Sequence, residues 1–348
     1  MIHFYCDNCQ NVLFFENSVC LKCQSKVGFD HDHRKMVVLG PESDLALCQN
    51  GVDYHVCNWV RPVGSSQPLC AACQLNRMIP DLSADGNIVA WGKMEAAKRR
   101  VLYTLAEIGL RPKSKLQDPD GLTFDLLSPT PEAPVLTGHD NGVITLNLLE
   151  ADDAHREKMR TGLGEPSRTL GGHFRHEIGH YYWDRLLKPR DTDDPVFRKW
   201  RQIFGDERHD YQAALQRYYK NGPADEWWNN YISAYATMHP WEDWAETWAQ
   251  YLHILDGMET ARDFGWDSQE VPIPFTPFTA AQIKVPEDEA DPEFLELVNS
   301  WLRLAPALNE IALSLGQGSL FPFVFTPAAV RKIHFVHATV RAGLPKKW

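Results

Sequence analysis

The sequence predicts an α+β protein, in which a small cysteine-rich module precedes a larger, mostly helical domain with a small β-sheet. Two observations support this class. All 8 cysteines lie within the first 73 residues, and the later sequence combines long stretches of helical apolar spacing with a few short β-branched runs. With 348 residues, of which 44% are hydrophobic and 23% charged, the chain can form two or three globular domains.

The cysteines form two sets with the spacing of zinc ligands. The first set is Cys6, Cys9, Cys20 and Cys23, and the second set is Cys48, Cys57, Cys70 and Cys73. The first set contains two Cys-x-x-Cys pairs, the pattern of a zinc ribbon, because two such pairs close a tetrahedron around one ion. The second set has one such pair and wider gaps. We therefore predict one or two structural zinc ions.

Two alternatives remain open for this module. A histidine among His31, His33 and His55 could replace a thiolate, and the pairs could be shared between the two sites, as in RING domains. Four thiolates leave no coordination position for chemistry, so we expect an architectural role. The polar, turn-rich stretch 80–86 predicts a boundary, with a zinc-ribbon domain over 1–85 and the main domain over 86–348.

The main chemical motif of the chain is the pentapeptide His176-Glu177-Ile178-Gly179-His180. Residues four apart leave the same face of a helix, so His176 and His180 can hold one zinc ion. Glu177 lies beside them and can accept a proton from zinc-bound water, a spacing typical of zincin-type zinc hydrolases. The apolar and aromatic neighbours within 171–187 predict a packed helix. The alternative is a buried helix whose histidines only satisfy local hydrogen bonds.

A helix of this kind supplies only two ligands, so the third must come from elsewhere. The long metzincin motif would place Gly at 183 and His at 186, but the chain has Trp183 and Leu186 there. Downstream, Pro240 and apolar residues at three- and four-residue intervals predict a second helix that carries glutamates at positions 242 and 246.

This second helix resembles the Glu-x-x-x-Glu/Asp pattern of zincins with a glutamate ligand. The resemblance implies that Glu242 is the third ligand and that Glu246 orients a ligand histidine. Asp243 is the main competitor for the ligand position, although it points about 100° away on the helix. As an alternative, Asp243 is only a first-turn acid that the helix dipole favours.

Two further residues are candidates for the site. Tyr235 precedes Glu242 by seven residues, where some glutamate zincins carry a tyrosine that stabilises the oxyanion. A core or rim tyrosine is the alternative. His173 precedes His176 by three residues and could reach the site, but we expect a structural hydrogen-bonding role.

The remaining elements are predicted from periodicity and turn signals. Helices are expected over 95–109, 295–315 and 327–342, strands over 122–127 and 143–149, and a hairpin turn over 139–142. The strand before the metal helix is either an edge strand that pairs with an extended peptide or part of an ordinary hairpin. Residues 191–230 are expected to be helical and show no motif.

The net charge and the first residues of the chain limit its expected partners and location. The net charge of −11 makes the chain a poor binder of nucleic acid or of an anionic membrane. It has no apolar run of 18 residues, and its first residues lack the features of a signal peptide, which predicts a cytoplasmic protein with reduced thiols. The expected partners are a peptide or protein substrate and, through the ribbon, another protein.

Taken together, these motifs resemble a known family over nearly the whole chain. CDNC, CLKC, GHDNGVITLNL, GHFRHEIGHYYWDRL and HPWEDWAETWAQYLHI are similar to the bacterial zinc-binding metallopeptidases with an N-terminal ribbon. The resemblance implies one catalytic zinc and peptide hydrolysis with Glu177 as general base. Two alternatives share every motif: an adaptor without turnover, and a zinc hydrolase of an isopeptide or non-peptide amide bond.

Overall fold

A computed structural model describes residues 1–130, 132–163, 169–188, 190–283, 291–319 and 324–343. The chain folds into two compact units, Met1–Arg156 and Glu157–Trp348. Helices predominate and the sheets are small, so the predicted α+β class is confirmed.

The strands of the described residues all lie in the first unit, and the long helices lie mostly in the second. The strands are β1 Phe4–Tyr5, β2 Val12–Leu13, β3 Val27–Asp30, β4 Lys35–Val38, β5 Leu45–Leu47, β6 Val60–Pro62, β7 Asn76–Met78, β8 Thr123–Leu127, β9 Gly138–Asp140 and β10 Val143–Asn147. The helices are α1 Gln49–Asp53, α2 Asn87–Glu107, α3 Asp153–Leu163, α4 Leu170–Leu186, α5 Pro195–Phe204, α6 Tyr211–Asn221, α7 Pro240–Asp263, α8 Ala280–Ile283, α9 Pro292–Ser314 and α10 Pro327–Gly343.

The largest sheet of the first unit has the strand order β7-β8-β10-β9. Strand β10 pairs with β9 in antiparallel fashion and with β8 in parallel fashion. The turn between β9 and β10 contains Asn141 and Gly142, both with positive φ, as the tight turn of a hairpin requires. The predicted hairpin is therefore confirmed. Whether a peptide adds to an edge of this sheet stays a prediction.

The largest sheet extends across the predicted boundary at 85/86, and helix α2 contacts the cysteine-rich side of it. Strand β7, on the ribbon side, pairs in parallel with β8 on the other side, and Glu95 of α2 lies 3.8 Å from the thiol of Cys73. The compact units instead divide between Arg156 and Glu157. The boundary at 85/86 therefore falls inside the first unit, and it stays a prediction about domain organisation.

Helices α4 and α7 pack closely at the centre of the second unit. A Cβ atom on Gly179 would lie only 3.1 Å from the Cα of Ala245, so glycine is what lets the two backbones approach. The indole of Trp244 donates a hydrogen bond of 2.9 Å to the carbonyl of Gly179 and is fully buried. This contact fixes the position of α7 against the middle of α4.

The predicted helices are confirmed, and several are longer than expected. Helix α2 begins eight residues before position 95, and α9 begins three residues before position 295. Residues 191–230 contain two helices, α5 and α6, with irregular segments around them. Among the described residues, no helix combines the length and apolar character that a membrane crossing requires.

Candidate metal centres

Each set of cysteines converges on one point, with the geometry of a tetrahedral zinc site. In the first set, Sγ of Cys6 lies 3.7 Å from that of Cys23, and Sγ of Cys9 lies 3.6 Å from that of Cys20. In the second set, the Cys57 and Cys70 sulfurs are 3.6 Å apart. Sulfurs bonded at about 2.3 Å to one tetrahedral zinc are separated by about 3.8 Å, whereas a disulfide would need about 2.05 Å.

The arrangement of the thiols also decides between the open alternatives for the ligands of these sites. Both groups are made only of cysteines. The first four cysteines of the chain form one group and the last four form the other, so ligands are not shared between the sites. His31 stacks on Trp59 with ring centroids 4.5 Å apart, and Nδ1 of His33 lies 2.7 Å from Oδ2 of Asp30. His55 belongs to neither group.

Removal of zinc from the cysteine sites is expected to unfold the N-terminal part of the chain. Small modules of this kind depend on metal, which contributes about 10–16 kcal/mol in zinc-finger peptides at neutral pH. Limited proteolysis and circular dichroism of the full chain, before and after chelation, would measure the effect, and added zinc should restore protection. Unchanged spectra and protease resistance in the metal-free protein would contradict this prediction.

A third group of ligand atoms lies between α4 and α7. Nε2 of His176, Nε2 of His180 and Oε2 of Glu242 form a triangle with sides of 3.0 Å, 3.2 Å and 3.5 Å. All three residues are buried. Ligands bonded at about 2.0–2.1 Å to a tetrahedral zinc ion are about 3.3–3.4 Å apart, so the triangle has the dimensions of one face of a zinc site.

The number of ligands distinguishes this group from the cysteine sites. Among the described residues, it contains three protein ligands, the usual number in catalytic zinc sites, whereas structural sites have four. Oε2 of Glu242 is buried and receives no hydrogen bond from the part of the chain that is described. A cation at the centre of the triangle would satisfy this oxygen.

Glu246 lies beside the imidazole of His176, on the Nδ1 side of the ring. Its Oε1 lies 2.6 Å from Nδ1 of His176. Because a carboxylate only accepts hydrogen bonds, Nδ1 carries the proton, and the lone pair of Nε2 points toward Glu242. This hydrogen bond is the kind that fixes the tautomer and orientation of a metal-binding histidine.

The pKa of Glu242 reflects two opposing influences. Burial would raise it, but the neighbouring imidazoles, His180 above all, would in their protonated form hold the pKa of this carboxyl well below its usual range. A zinc ion would supply the same positive charge while both imidazoles stay neutral. The glutamate would then be ionised, as a metal ligand must be.

Glu177 follows the first histidine on α4 and is 5% exposed. Its Oε2 atom is buried and has no hydrogen-bond partner among the described residues, while Oε1 lies 3.8 Å from Nε2 of His173. One oxygen of this buried carboxylate is therefore available to accept a proton. His173 lies beside Glu177 and is not part of the metal-binding group.

Asp243, the competitor of Glu242, faces a different element. Its Oδ2 lies 2.6 Å from Nζ of Lys332 on α10, and both side chains are buried. The lysine also donates to the carbonyl of Asn230 at 2.8 Å and lies over the ring of Tyr231. Asp243 therefore joins α7 to α10 and does not belong to the metal-binding group.

One residue at this site, Tyr211, could not be found from any sequence motif. Its hydroxyl donates a hydrogen bond of 2.8 Å to Oε1 of Glu242. Burial and the charge of Glu242 raise the pKa of Tyr211 well above its usual range, so the phenol remains a protonated donor. Tyr235 lies nearby, with its ring centroid 6.1 Å from that of His176, and its hydroxyl interacts with that of Tyr211.

The family of the chain follows from this combination of a cysteine-rich module and a His-His-Glu centre. The chain belongs to a family of zinc-binding metallopeptidases: the family model described as "putative zinc-binding metallo-peptidase" matches residues 87–339. A zinc-ribbon domain model matches residues 3–84. The predicted family resemblance is thereby confirmed.

Mycobacterial proteins are among those similar to this chain. Uncharacterized proteins of Mycobacterium bovis and of two Mycobacterium tuberculosis strains are each 40% identical to this chain over 347 residues, covering 99% of this chain and 97% of theirs. No solved structure matches the chain significantly. The relatives thus extend along the full length of the chain, ribbon and metallopeptidase region included.

Proposed function

We propose that the protein is a zinc-dependent peptidase of the glutamate-zincin type, with His176, His180 and Glu242 as zinc ligands. The observation that carries the proposal is the triangle of three ligand atoms, 3.0–3.5 Å apart, beside the buried carboxylate of Glu177. Family membership supports the same class of enzyme. We propose one zinc ion at this centre and one in each cysteine site.

In this proposal, the residues around the centre divide the chemistry between them. Zinc, when bound, would activate water for attack and polarise the carbonyl of the scissile bond. Glu177 accepts the proton of the attacking water through its unpartnered oxygen and passes it to the leaving amine. Glu246 holds the ring of His176 in the tautomer that leaves Nε2 free for the metal.

Profiling of a cytosolic peptide pool tests the proposed activity. The purified wild-type protein should generate new peptide termini that the Glu177→Gln variant does not generate. Identical profiles for the two proteins would contradict a peptidase and favour a binding protein without turnover. Cleavage restricted to isopeptide or non-peptide amide substrates would also contradict it, because the bond would be of a different type.

Tyr235 is proposed to donate a hydrogen bond to the oxyanion that forms at the scissile carbonyl. The Tyr235→Phe variant is expected to keep its zinc and to lose turnover by about 10²–10³-fold, the usual effect of removing one oxyanion donor. Steady-state kinetics with a peptide found by profiling, together with zinc analysis, would measure this. Turnover equal to that of the wild type would assign Tyr235 to packing alone.

The proposed partners follow from the same class. A peptide or protein is the substrate, and the ribbon is available to contact another protein. We expect no nucleic-acid partner, because the chain carries 46 acidic residues against 35 lysines and arginines.

A further inference from the structure

We infer that Tyr211 is a positioning residue that holds Glu242 as a zinc ligand through one oxygen only. The inference rests on the zinc site of the proposed function and does not depend on the bond that is cleaved. The two oxygens of this carboxylate have different environments. Oε1 accepts the hydrogen bond of the Tyr211 hydroxyl at 2.8 Å, and Oε2 faces both imidazoles at 3.0 Å and 3.5 Å.

The position of Tyr211 is fixed by a contact between the starts of two helices. Tyr211 is the first residue of α6, and Glu242 lies in the first turn of α7. His239 caps α7, since its Nδ1 accepts a hydrogen bond of 3.1 Å from the amide of Trp241. Nε2 of the same ring then donates to the carbonyl of His209 at 3.0 Å, two residues before Tyr211.

Ring packing restricts the side chain of Tyr211 further. Its ring lies 5.3 Å from that of His239 and 5.9 Å from that of Trp241, in both cases edge to face. Asp210 caps α6 by accepting a hydrogen bond of 2.9 Å from the amide of Ala213. The backbone next to Tyr211 is therefore fixed by the cap of Asp210 and by the hydrogen bond of His239 to His209, which together direct the hydroxyl toward Glu242.

The hydrogen bond has a predictable effect on the metal site. While Oε1 is occupied by a donor, only Oε2 is directed to the ion, and the carboxylate cannot rotate to offer both oxygens. Partners of metal ligands usually contribute about 10–100-fold to metal affinity or activity. Loss of the Tyr211 hydroxyl should therefore weaken zinc binding and permit a second carboxylate oxygen to approach the ion.

A chelator titration followed by native mass spectrometry tests this role. The full-length wild-type protein, Tyr211→Phe and Tyr219→Phe are compared, where Tyr219 lies on the same helix and is 60% exposed. The first ion to be lost is assigned with His180→Ala, which should lack it. Tyr211→Phe is expected to lose this ion at about 10–100-fold lower chelator concentration, whereas Tyr219→Phe should match the wild type.

Cobalt spectroscopy separates positioning from a merely structural effect. With Co²⁺ at the third site and zinc in the cysteine sites, Tyr211→Phe should show weaker visible absorption than the wild type, because a second carboxylate oxygen raises the coordination number. Affinity equal to the wild type, or lower affinity with an unchanged spectrum, would overturn the inference. If Tyr211→Phe weakens zinc binding but no peptide is cleaved by the wild type, the proposed function fails and this inference stands.

Discussion

Glu177→Gln is expected to keep all of its zinc and to lose turnover by about 10²–10⁴-fold, the usual contribution of a general base. Glutamine has the shape of glutamate but cannot accept the proton of the attacking water. The zinc ligands His176, His180 and Glu242 are unchanged, so metal content should not change either. Zinc analysis and kcat on the best peptide from profiling measure the two quantities separately.

The chain offers a matched control for this substitution. Glu310 lies exposed on α9, so Glu310→Gln changes the charge by the same amount without touching the site. Its turnover should equal that of the wild type. Equal turnover in Glu177→Gln and Glu310→Gln would show that Glu177 is not the base.

Glu242→Ala and Asp243→Ala are expected to change different properties, although the residues are neighbours: the first should change the zinc content and the second the stability. Glu242→Ala removes a ligand and should reduce the zinc count from three ions per chain to two, as His180→Ala should. Asp243→Ala should keep three ions but leave Lys332 buried without its carboxylate partner. Removing one partner of a buried pair lowers the free energy of unfolding by about 3–5 kcal/mol.

Native mass spectrometry and chemical denaturation measure these two effects. Asp243→Asn, which keeps the shape of the side chain, is the second variant if Asp243→Ala is too unstable to purify. If either Asp243 variant lost the third ion while Glu242→Ala retained it, the assignment of the two carboxylates would have to be exchanged.

The sequence could predict the parts of the site that depend on spacing within one helix. His176 and His180 share a face because they are four residues apart, and the same holds for Glu242 and Glu246. The two helices could be predicted from their apolar periodicity, and the cysteine sites from the spacing of the thiols. In each case, the geometry follows from local backbone structure.

Interactions between distant segments could not be predicted in this way. Asp243 was a plausible ligand until its partner was known, and that partner, Lys332, lies 89 residues later in the chain. Tyr211 belongs to a stretch without any motif, and its place at the site depends on contacts with a distant segment, such as the hydrogen bond of His239 to the carbonyl of His209. The pairing of β7 with β8 likewise depends on segments more than 40 residues apart.

Zinc-edge anomalous diffraction from crystals of the wild-type protein tests the central claim most directly. One peak is expected between α4 and α7, about 2.0–2.2 Å from Nε2 of His176, Nε2 of His180 and one oxygen of Glu242. No peak at this position, or a peak bonded to four protein atoms, would contradict the assignment of a catalytic zinc site.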